Sequence, residues 1–282
     1  MQIAIASGKG GTGKTIVSSN LAYYLNKIGK SVALIDCDVE EPNNHIFYEP
    51  TWFADENVNR LVPQVDTIRC TGCEKCAEFC QFGAIVCLKG KVLTFPELCH
   101  SCAGCINICP TSALEKTSRK IGEVQLGLKD NLLIVQGMLR VGEAMSPPLI
   151  KEVKRHGIGK EIVIIDCPPG TSCPMIQAVK GSDFVLLVTE PTPFGLNDLK
   201  LAVETIRELG IPFALCLNRS TIGDEKVWDY CKIENIPIIL EIPDDRQIAE
   251  AYSQGKLFLE VLPHYEKVFV ELLTSLEEIK SC

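Results

Sequence analysis

The stretch "ASGKGGTGKT", Ala6–Thr15, decides the fold. Before it, Ile3-Ala4-Ile5-Ala6 is a short apolar run of the buried-strand type. After it, Val17, Leu21, Leu25 and Ile28 recur at helical spacing from Lys14 until Gly29 stops the helix. The loop between strand and helix has the phosphate-binding pattern Gly8-x4-Gly13-Lys14-Thr15. Gly8, Gly10, Gly11, Thr12 and Gly13 let backbone N–H groups approach phosphates, and the helix N-terminus adds positive potential. Lys14 reaches the β/γ oxygens and Thr15 ligates magnesium. One lysine suffices for that task, so Lys9, directly after the first glycine, needs a separate explanation.

Gly8-x-Gly10-x-x-Gly13 also satisfies a dinucleotide fingerprint, with Asp36 at the end of the next strand where a ribose-binding acid would stand. Lys14-Thr15 argues against it, because a dinucleotide fold places small or apolar residues there to pack helix on sheet. "EIVIIDCPPG", Glu161–Gly170, supplies a second acidic strand end, Asp166, suited to magnesium-bound water. Its apolar run Ile162–Ile165 reads as a strand buried on both faces of a parallel sheet. Similar runs recur at Val32–Ile35, Phe184–Val188, Phe213–Leu217 and Pro237–Leu240, with the helix-like Leu196–Leu209 among them. The outer chain is therefore expected to be α/β, a mostly parallel, doubly wound sheet.

"GKGGTGKT", "DCDVEEPN", "DCPPGTS" and "CLNRS", in that order, resemble the deviant Walker A ATPases, the superfamily of MinD, ParA, the nitrogenase iron protein and Mrp-type proteins. The likeness covers roughly 1–43 and 131–279. It implies ATP and Mg2+ as ligands and an ATP-dependent homodimer that sandwiches the nucleotides. Lys9 would be the signature lysine reaching across that dimer, and Lys14 and Thr15 would serve the phosphates and magnesium. Asp38 would position the attacking water, Asp36 and Asp166 would hold magnesium through water, and Asn218 would read the adenine edge.

The middle of the chain is of another kind. "RCTGCEKCAEFCQFGAI", 69–85, and "CHSCAGCINICPTSAL", 99–114, are two copies offset by 29 residues, each with the spacing C-x2-C-x2-C-x3-C. Three close thiolates grip one face of an iron–sulfur cube while the fourth swings to the other cube. One cluster would use Cys70, Cys73, Cys76 and Cys109, the other Cys99, Cys102, Cys105 and Cys80. Structural zinc sites favour two separated C-x2-C knuckles over a triple run. The segment resembles a bacterial two-cluster ferredoxin, which implies two [4Fe-4S] clusters. Pro110 follows Cys109 as that pattern expects, but Gln81 stands where the first copy would carry its proline.

Because Asp38 and Asp166 belong to one ATPase core, the cysteine repeat between them is an insertion. An ATPase domain of residues 1–58 and 119–282 is expected, with an inserted ferredoxin-like α+β iron–sulfur domain at 59–118. The flanks "NNHIFYEPTW" and "TSRKIGEVQLG" read as turn-rich linkers. The insertion follows the segment after Asp38, which in switch ATPases responds to the γ-phosphate, so nucleotide state and clusters are candidates for coupling. The other seven cysteines, 37, 87, 167, 173, 216, 231 and 282, read as small buried hydrophobes. Cys173 is the exception to watch, since it follows the Asp166 loop.

With 282 residues, 46% of them hydrophobic, the chain can bury a full core. A net charge of −8 argues against nucleic acid as a partner. No apolar run reaches the ~18 residues of a membrane span, and Met1–Ala6 lacks the features of a signal peptide, so a cytoplasmic protein is expected. Eight of the fifteen cysteines lie in two tight clusters, which suits metal ligation in a reducing compartment. At the tail, Phe269, Leu272, Leu273, Leu276 and Ile279 make one apolar side, with Glu266, Glu271, Glu277 and Glu278 opposite. Acidic faces are repelled by anionic lipid, so a core-packing final helix without membrane contact is expected.

Three function classes follow. The first is an ATP-driven redox protein whose hydrolysis gates electron transfer from two clusters to a redox partner. The second is an ATP-dependent scaffold or carrier in metallocofactor maturation, although the C-terminal C-x-x-C pair of Mrp-type proteins is missing. The third is a MinD-like positioning or regulatory ATPase with structural or sensory clusters.

Overall fold

A computed structural model describes residues 1–281, with side chains to Leu276. Cys282 and the side chains of Glu277, Glu278 and Ile279 lie outside the described residues. β1 (Gln2–Ala6) runs into the glycine loop and α1 (Lys14–Lys27) starts where that loop ends. β2 (Val32–Asp36), α2 (Asn44–Tyr48) and the long β3 (Thr51–Val65) follow. Next come α3 (Lys75–Phe79), β4 (Ile85–Leu88), β5 (Lys91–Thr94), α4 (Gly104–Asn107), β6 (Leu114–Lys129) and β7 (Leu132–Leu139). The rest alternates: α5 (Pro147–Arg155), β8 (Ile162–Asp166), α6 (Cys173–Val179), β9 (Phe184–Thr189), α7 (Pro193–Leu209), β10 (Phe213–Asn218), α8 (Lys226–Ile233) and β11 (Ile238–Ile242). α9 (Arg246–Ser253), α10 (Phe258–Val261) and α11 (Glu266–Ser281) close the described chain.

Nine strands form one sheet in the order β11-β10-β9-β1-β8-β2-β7-β6-β3, while β4 and β5 pair as an antiparallel hairpin. Pairing is parallel from β11 through β7. β1 lies between β8 and β9, so the chain leaves it through α1, skips β8 and returns at β2. Such a reversal of strand order opens a crevice at the carboxyl ends of the strands, where ligands bind in open α/β sheets. Every residue of β2 and of β9 is buried, as strands covered on both faces must be.

Packing divides the chain into two compact units, one of residues 1–55, 124–138 and 150–282, the other of 56–123 and 139–149. The chain passes between them within β3, within β6, at the end of β7 and within α5. The flanks read as linkers are ordered instead: 43–52 supplies α2 and the start of β3, and 117–127 lies wholly inside β6. The reason is that Ile121, Val124 and Leu126 take buried positions on β6, and sheet pairing overrides the weak strand propensity of Ser118 before them and Gly122 among them. Residues 139–149, taken from sequence as part of the ATPase, group with the second unit.

In the first unit Leu21 and Leu25 of α1, Phe258 of α10, and Phe269, Leu272 and Leu276 of α11 share a core with Ile3, Ile5, Leu34 and Ile164. The final helix thus buries Phe269, Leu272 and Leu276 in the protein. In the second unit the sequence repeat has a structural counterpart. Left-handed backbone at Gly72, Glu74 and Gly83 recurs at Ser101, Ala103 and Ser112. Asp66 N–H donates to Ala113 O at 2.7 Å, and at the same offset Phe95 N–H donates to Ala84 O at 2.8 Å.

Candidate functional site

The glycine loop connects the centre of the sheet to α1, and its composition follows from what approaches it. A Cβ on Gly8 would lie 2.1 Å from the main-chain oxygen of Asp198 in α7. Gly13 has φ of 92° and caps α1, and a Cβ there would meet Asn218 Nδ2 at 2.2 Å. Only glycine fits either place. A Cβ on Gly10, by contrast, would find nothing nearer than Pro169 Cβ at 4.0 Å, so the room beside Gly10 is open.

Lys14 is buried, and so are Asp36 and Asp166, register partners at the carboxyl ends of β2 and β8. Asp36 Oδ1 accepts from Asp38 N–H at 3.1 Å. Its Oδ2 accepts from the N–H groups of Asn43 (2.9 Å) and Asn44 (3.1 Å) and from Asn44 Nδ2 (3.0 Å). Asp166 Oδ2 accepts from Asn44 Nδ2 at 2.8 Å and from Ser18 Oγ at 2.9 Å. Burial raises the pKa of both carboxyls; Asp166 adds repulsion at Asp36, while Lys14 opposes the rise at Asp166. Asp38, half-buried beside them, is pushed up to about 6 by burial and by Asp166, against the pull of Lys14.

Three buried oxygens here have no hydrogen-bond partner, Asp166 Oδ1, Asn44 Oδ1 and Thr12 Oγ1. A buried polar atom without a partner costs about 1–3 kcal/mol, so each is a position that a water or a ligand can satisfy. Carboxylate and hydroxyl oxygens beside a buried lysine suit a hydrated magnesium ion and its nucleotide phosphates.

Lys9 is half-buried; its carbonyl accepts from Ser7 Oγ at 2.5 Å, and among the described residues its ammonium has no ion-pair partner. Asn218 lies against the loop, its Nδ2 donating to Thr12 O at 2.9 Å. Asn44 is the residue that sequence reasoning missed. It sits one position beyond the "DCDVEEPN" segment, and a lone asparagine in a turn gives no sign of a partner 122 residues away.

In the second unit the thiols separate by quartet. Cys80, Cys99, Cys102 and Cys105 line a cavity of about 410 Å³, and Cys70, Cys73, Cys76 and Cys109 line a smaller one of about 20 Å³. Among the described residues no three His, Cys, Asp or Glu side chains converge closely enough to hold a single metal ion. Backbone N–H groups point at sulfur in each quartet: Ser101 N–H to Cys99 Sγ at 3.4 Å and Ala113 N–H to Cys109 Sγ at 3.3 Å. Cysteine sulfurs that accept bonds from backbone N–H groups are a donor set that fits an iron–sulfur cluster. Of the remaining described cysteines, 37, 167, 216 and 231 are buried, Cys87 is half-buried on β4, and Cys173 is exposed at the start of α6. Cys87 and Cys173 thus depart from the buried-hydrophobe reading. Among the described residues no helix is long and apolar enough to cross a membrane.

A family profile described as "CobQ/CobB/MinD/ParA nucleotide binding domain" matches residues 3–258. An uncharacterized protein of Methanocaldococcus jannaschii is 34% identical, over 92% of this chain and 91% of its own. An iron–sulfur cluster carrier protein of Aquifex aeolicus is 25% identical, over 98% of this chain and 67% of its own. The septum site-determining protein MinD of Pyrococcus horikoshii, solved with Mg-ADP, has the same fold, with a TM-score of 0.61 at 20% identity over 99% of this chain and 96% of that one. With its glycine loop, paired strand-end carboxylates and parallel sheet, the chain belongs to the CobQ/CobB/MinD/ParA family of P-loop nucleotide-binding proteins.

Proposed function

We propose that the protein binds and hydrolyses ATP as a nucleotide-sandwiched homodimer and couples nucleotide state to electron transfer through two [4Fe-4S] clusters. The clusters belong to a ferredoxin-like insertion at 59–118, within an ATPase of 1–58 and 119–282. The observation that carries this reading is the separation of eight thiols into two complete quartets, each around its own cavity. A bound cluster supplies one-electron transfer. The thiols of Cys70, Cys73, Cys76 and Cys109 hold one, and those of Cys99, Cys102, Cys105 and Cys80 the other.

In the ATPase, Lys14 and the loop N–H groups hold the β/γ-phosphates, while Thr15, with Asp36 and Asp166 through water, holds magnesium. Asp38 orients the attacking water, its carboxyl shifted towards neutrality by burial and by Asp166. Lys9 acts on the nucleotide of the partner subunit. With Asn218 Nδ2 engaged by Thr12 O, its amide oxygen takes the adenine contact.

A second reading, an ATP-dependent carrier of iron–sulfur clusters to an acceptor protein, is favoured by the likeness to the Aquifex aeolicus carrier. Anaerobic redox titration of the cluster-loaded protein, with and without MgATP, separates the two. A nucleotide-dependent shift in a cluster potential supports the redox protein. ATP-dependent loss of clusters to an apo-acceptor, with potentials unmoved, favours the carrier.

A further inference from the structure

The two copies of the cysteine repeat are alike in backbone and unlike in how the turn before each first cysteine is held. In the first copy the turn leading to Cys70 is held by its own residues and by one exposed ion pair, from Arg69 to Glu115 at the start of β6. Asp66 Oδ1 accepts from the N–H groups of Ile68 at 2.8 Å and Arg69 at 3.3 Å, and Arg69 Nε reaches Asp66 Oδ2 at 2.6 Å. This pair is solvent-exposed.

In the second copy the equivalent turn, Phe95–Leu98, is held by distant residues. Arg60 of β3 donates from Nη2 to Pro96 O at 2.7 Å and Glu97 O at 3.1 Å. The same nitrogen lies 2.9 Å from Glu143 Oε1, with both side chains almost wholly excluded from solvent. Glu143 Oε2 lies 3.2 Å from Arg119 Nη2, and Arg119 Nη1 lies 2.8 Å from Glu97 Oε1. A buried carboxylate between two guanidiniums is geometrically exacting, because any partner that moves leaves a desolvated charge unpaired. Glu143 belongs to the short loop that leaves β7 and leads directly into α5. α5 in turn is tied at Lys154, whose Nζ donates to Ala178 O at 2.5 Å and Lys180 O at 2.7 Å, around the end of the helix that follows the Asp166 loop.

We propose that Arg60 and Glu143 are positioning residues for the thiol quartet that begins at Cys99, and that the loop carrying Glu143 makes this quartet, and not the Cys70 quartet, the one that nucleotide state addresses. The assignment rests on the reading of two clusters coupled to ATP. It deepens that reading by breaking the symmetry of the repeat: one turn is fastened by exposed ion pairs to Asp66 and Glu115, the other by a buried network that includes the loop between β7 and α5.

The test is anaerobic redox titration of the cluster-loaded protein with its Glu143→Gln and Arg60→Lys variants, the two signals being assigned through Cys73→Ala and Cys102→Ala. Gln keeps the shape of Glu143 without its charge, and Lys keeps the charge of Arg60 without its fork. The expected result is a shifted potential for the cluster on Cys99, Cys102 and Cys105, an unchanged potential for the one on Cys70, Cys73 and Cys76, and a MgATP response confined to the former and lost in Glu143→Gln. Asp66→Ala should do the converse, moving only the Cys70 cluster. Equal shifts of both clusters in Glu143→Gln, or a MgATP response shared by both, would overturn the proposal. Two intact clusters that both ignore MgATP in the wild type overturn the coupling to ATP, while the Glu143→Gln potential still decides the positioning role.

Discussion

Asp36 and Asp166 face each other across adjacent strands and share one amide: Asn44 Nδ2 lies 3.0 Å from Asp36 Oδ2 and 2.8 Å from Asp166 Oδ2. Two buried carboxyls are tolerable side by side because one donor group serves both, with Ser18 Oγ and the N–H groups of Asn43 and Asn44 supporting it.

Asn44→Ala removes the bridge and leaves two buried oxygens short of donors. Hydrogen bonds to charged groups are worth about 1.5–3 kcal/mol, so the variant should lose about 2–3 kcal/mol of stability in urea denaturation. Asn44→Asp adds a third carboxyl to the group, and its penalty should be larger at pH 8 than at pH 6, where protonation relieves the repulsion. An Asn44→Ala protein as stable as wild type would show that the bridge contributes nothing.

Gly8 and Gly10 make a second contrast. Gly8→Ala pushes a methyl group into the backbone of α7 and should destabilise the fold by about 1–3 kcal/mol, because main chain cannot step aside as a side chain does. Gly10→Ala meets no protein atom closer than 4.0 Å and should leave the thermal midpoint unchanged while weakening nucleotide binding. Calorimetry for stability and titration with ADP for binding separate the two effects. Equal behaviour of the pair would remove the assignment of the space beside Gly10 to phosphate.

These residues also mark what was legible in the chain. The loop, α1 and the buried strands announce themselves because their requirements are local: glycine where backbone crowds, apolar runs where both faces are covered, a lysine at a helix start. The cysteine quartets are legible for the same reason, through spacing and repetition. Asn44 and Glu143 are not, since each acquires its role from partners brought near only by folding: Asp166 for the first, Arg60 and Arg119 for the second. The flanks of the repeat misled through composition, because the sequence around Gly122 is polar and turn-like only until Ile121, Val124 and Leu126 find a sheet to pack in.

The crossed use of the fourth cysteine is open to a direct test. Cys109 lines the cavity of Cys70, Cys73 and Cys76, so Cys109→Ala should damage that cluster and leave the one on Cys99, Cys102 and Cys105 intact by electron paramagnetic resonance. Iron content should fall by about half, each quartet holding one cluster. Loss of the other cluster alone would reverse the crossing.

Asp245 and Tyr265 predict how stability follows pH at both extremes. Asp245 caps α9, its Oδ1 accepting from Gln247 N–H and its Oδ2 from Tyr265 Oη, both at 2.8 Å. The Gln247 N–H first, and then the tyrosine hydroxyl, hold the carboxyl below its ordinary range. Its contribution is therefore present above the unfolded pKa, about 4, and lost as pH falls through the folded value. Burial, then the bond to Asp245, pushes Tyr265 up to about 12. That contribution is complete below pH ~10 and disappears as pH rises through 12. Asp245→Ala should cost about 1 kcal/mol at pH 7 through the lost cap, and Tyr265→Phe should flatten the alkaline limb without touching the cap. Urea midpoints measured from pH 3 to 11 check both; an alkaline limb unchanged in Tyr265→Phe would assign it to another group.

The two lysines of the loop should part company on mutation. Lys14 is buried at the start of α1, where its charge opposes the upward shift of Asp38 and of Asp166, and under the proposed function it serves the nucleotide of its own chain. Lys9 lies across the glycine turn and is only half-buried, with no ion-pair partner among the described residues, so its charge is available to a group that arrives from outside. A cation supplied by a second subunit makes stabilisation of the transferring phosphoryl group conditional on assembly, as an arginine finger does. Lys14→Ala should therefore weaken ATP binding itself. Lys9→Ala should bind ATP nearly as wild type does, yet fail to dimerise on binding and lose most hydrolysis, by a factor of about 10³ or more if the charge acts as such a finger. Sedimentation velocity with a slowly hydrolysed ATP analogue, beside phosphate-release assays, decides the matter. A Lys9→Ala protein that dimerises and turns over normally would sink the sandwich-dimer mechanism and return Lys9 to the status of a loop cation.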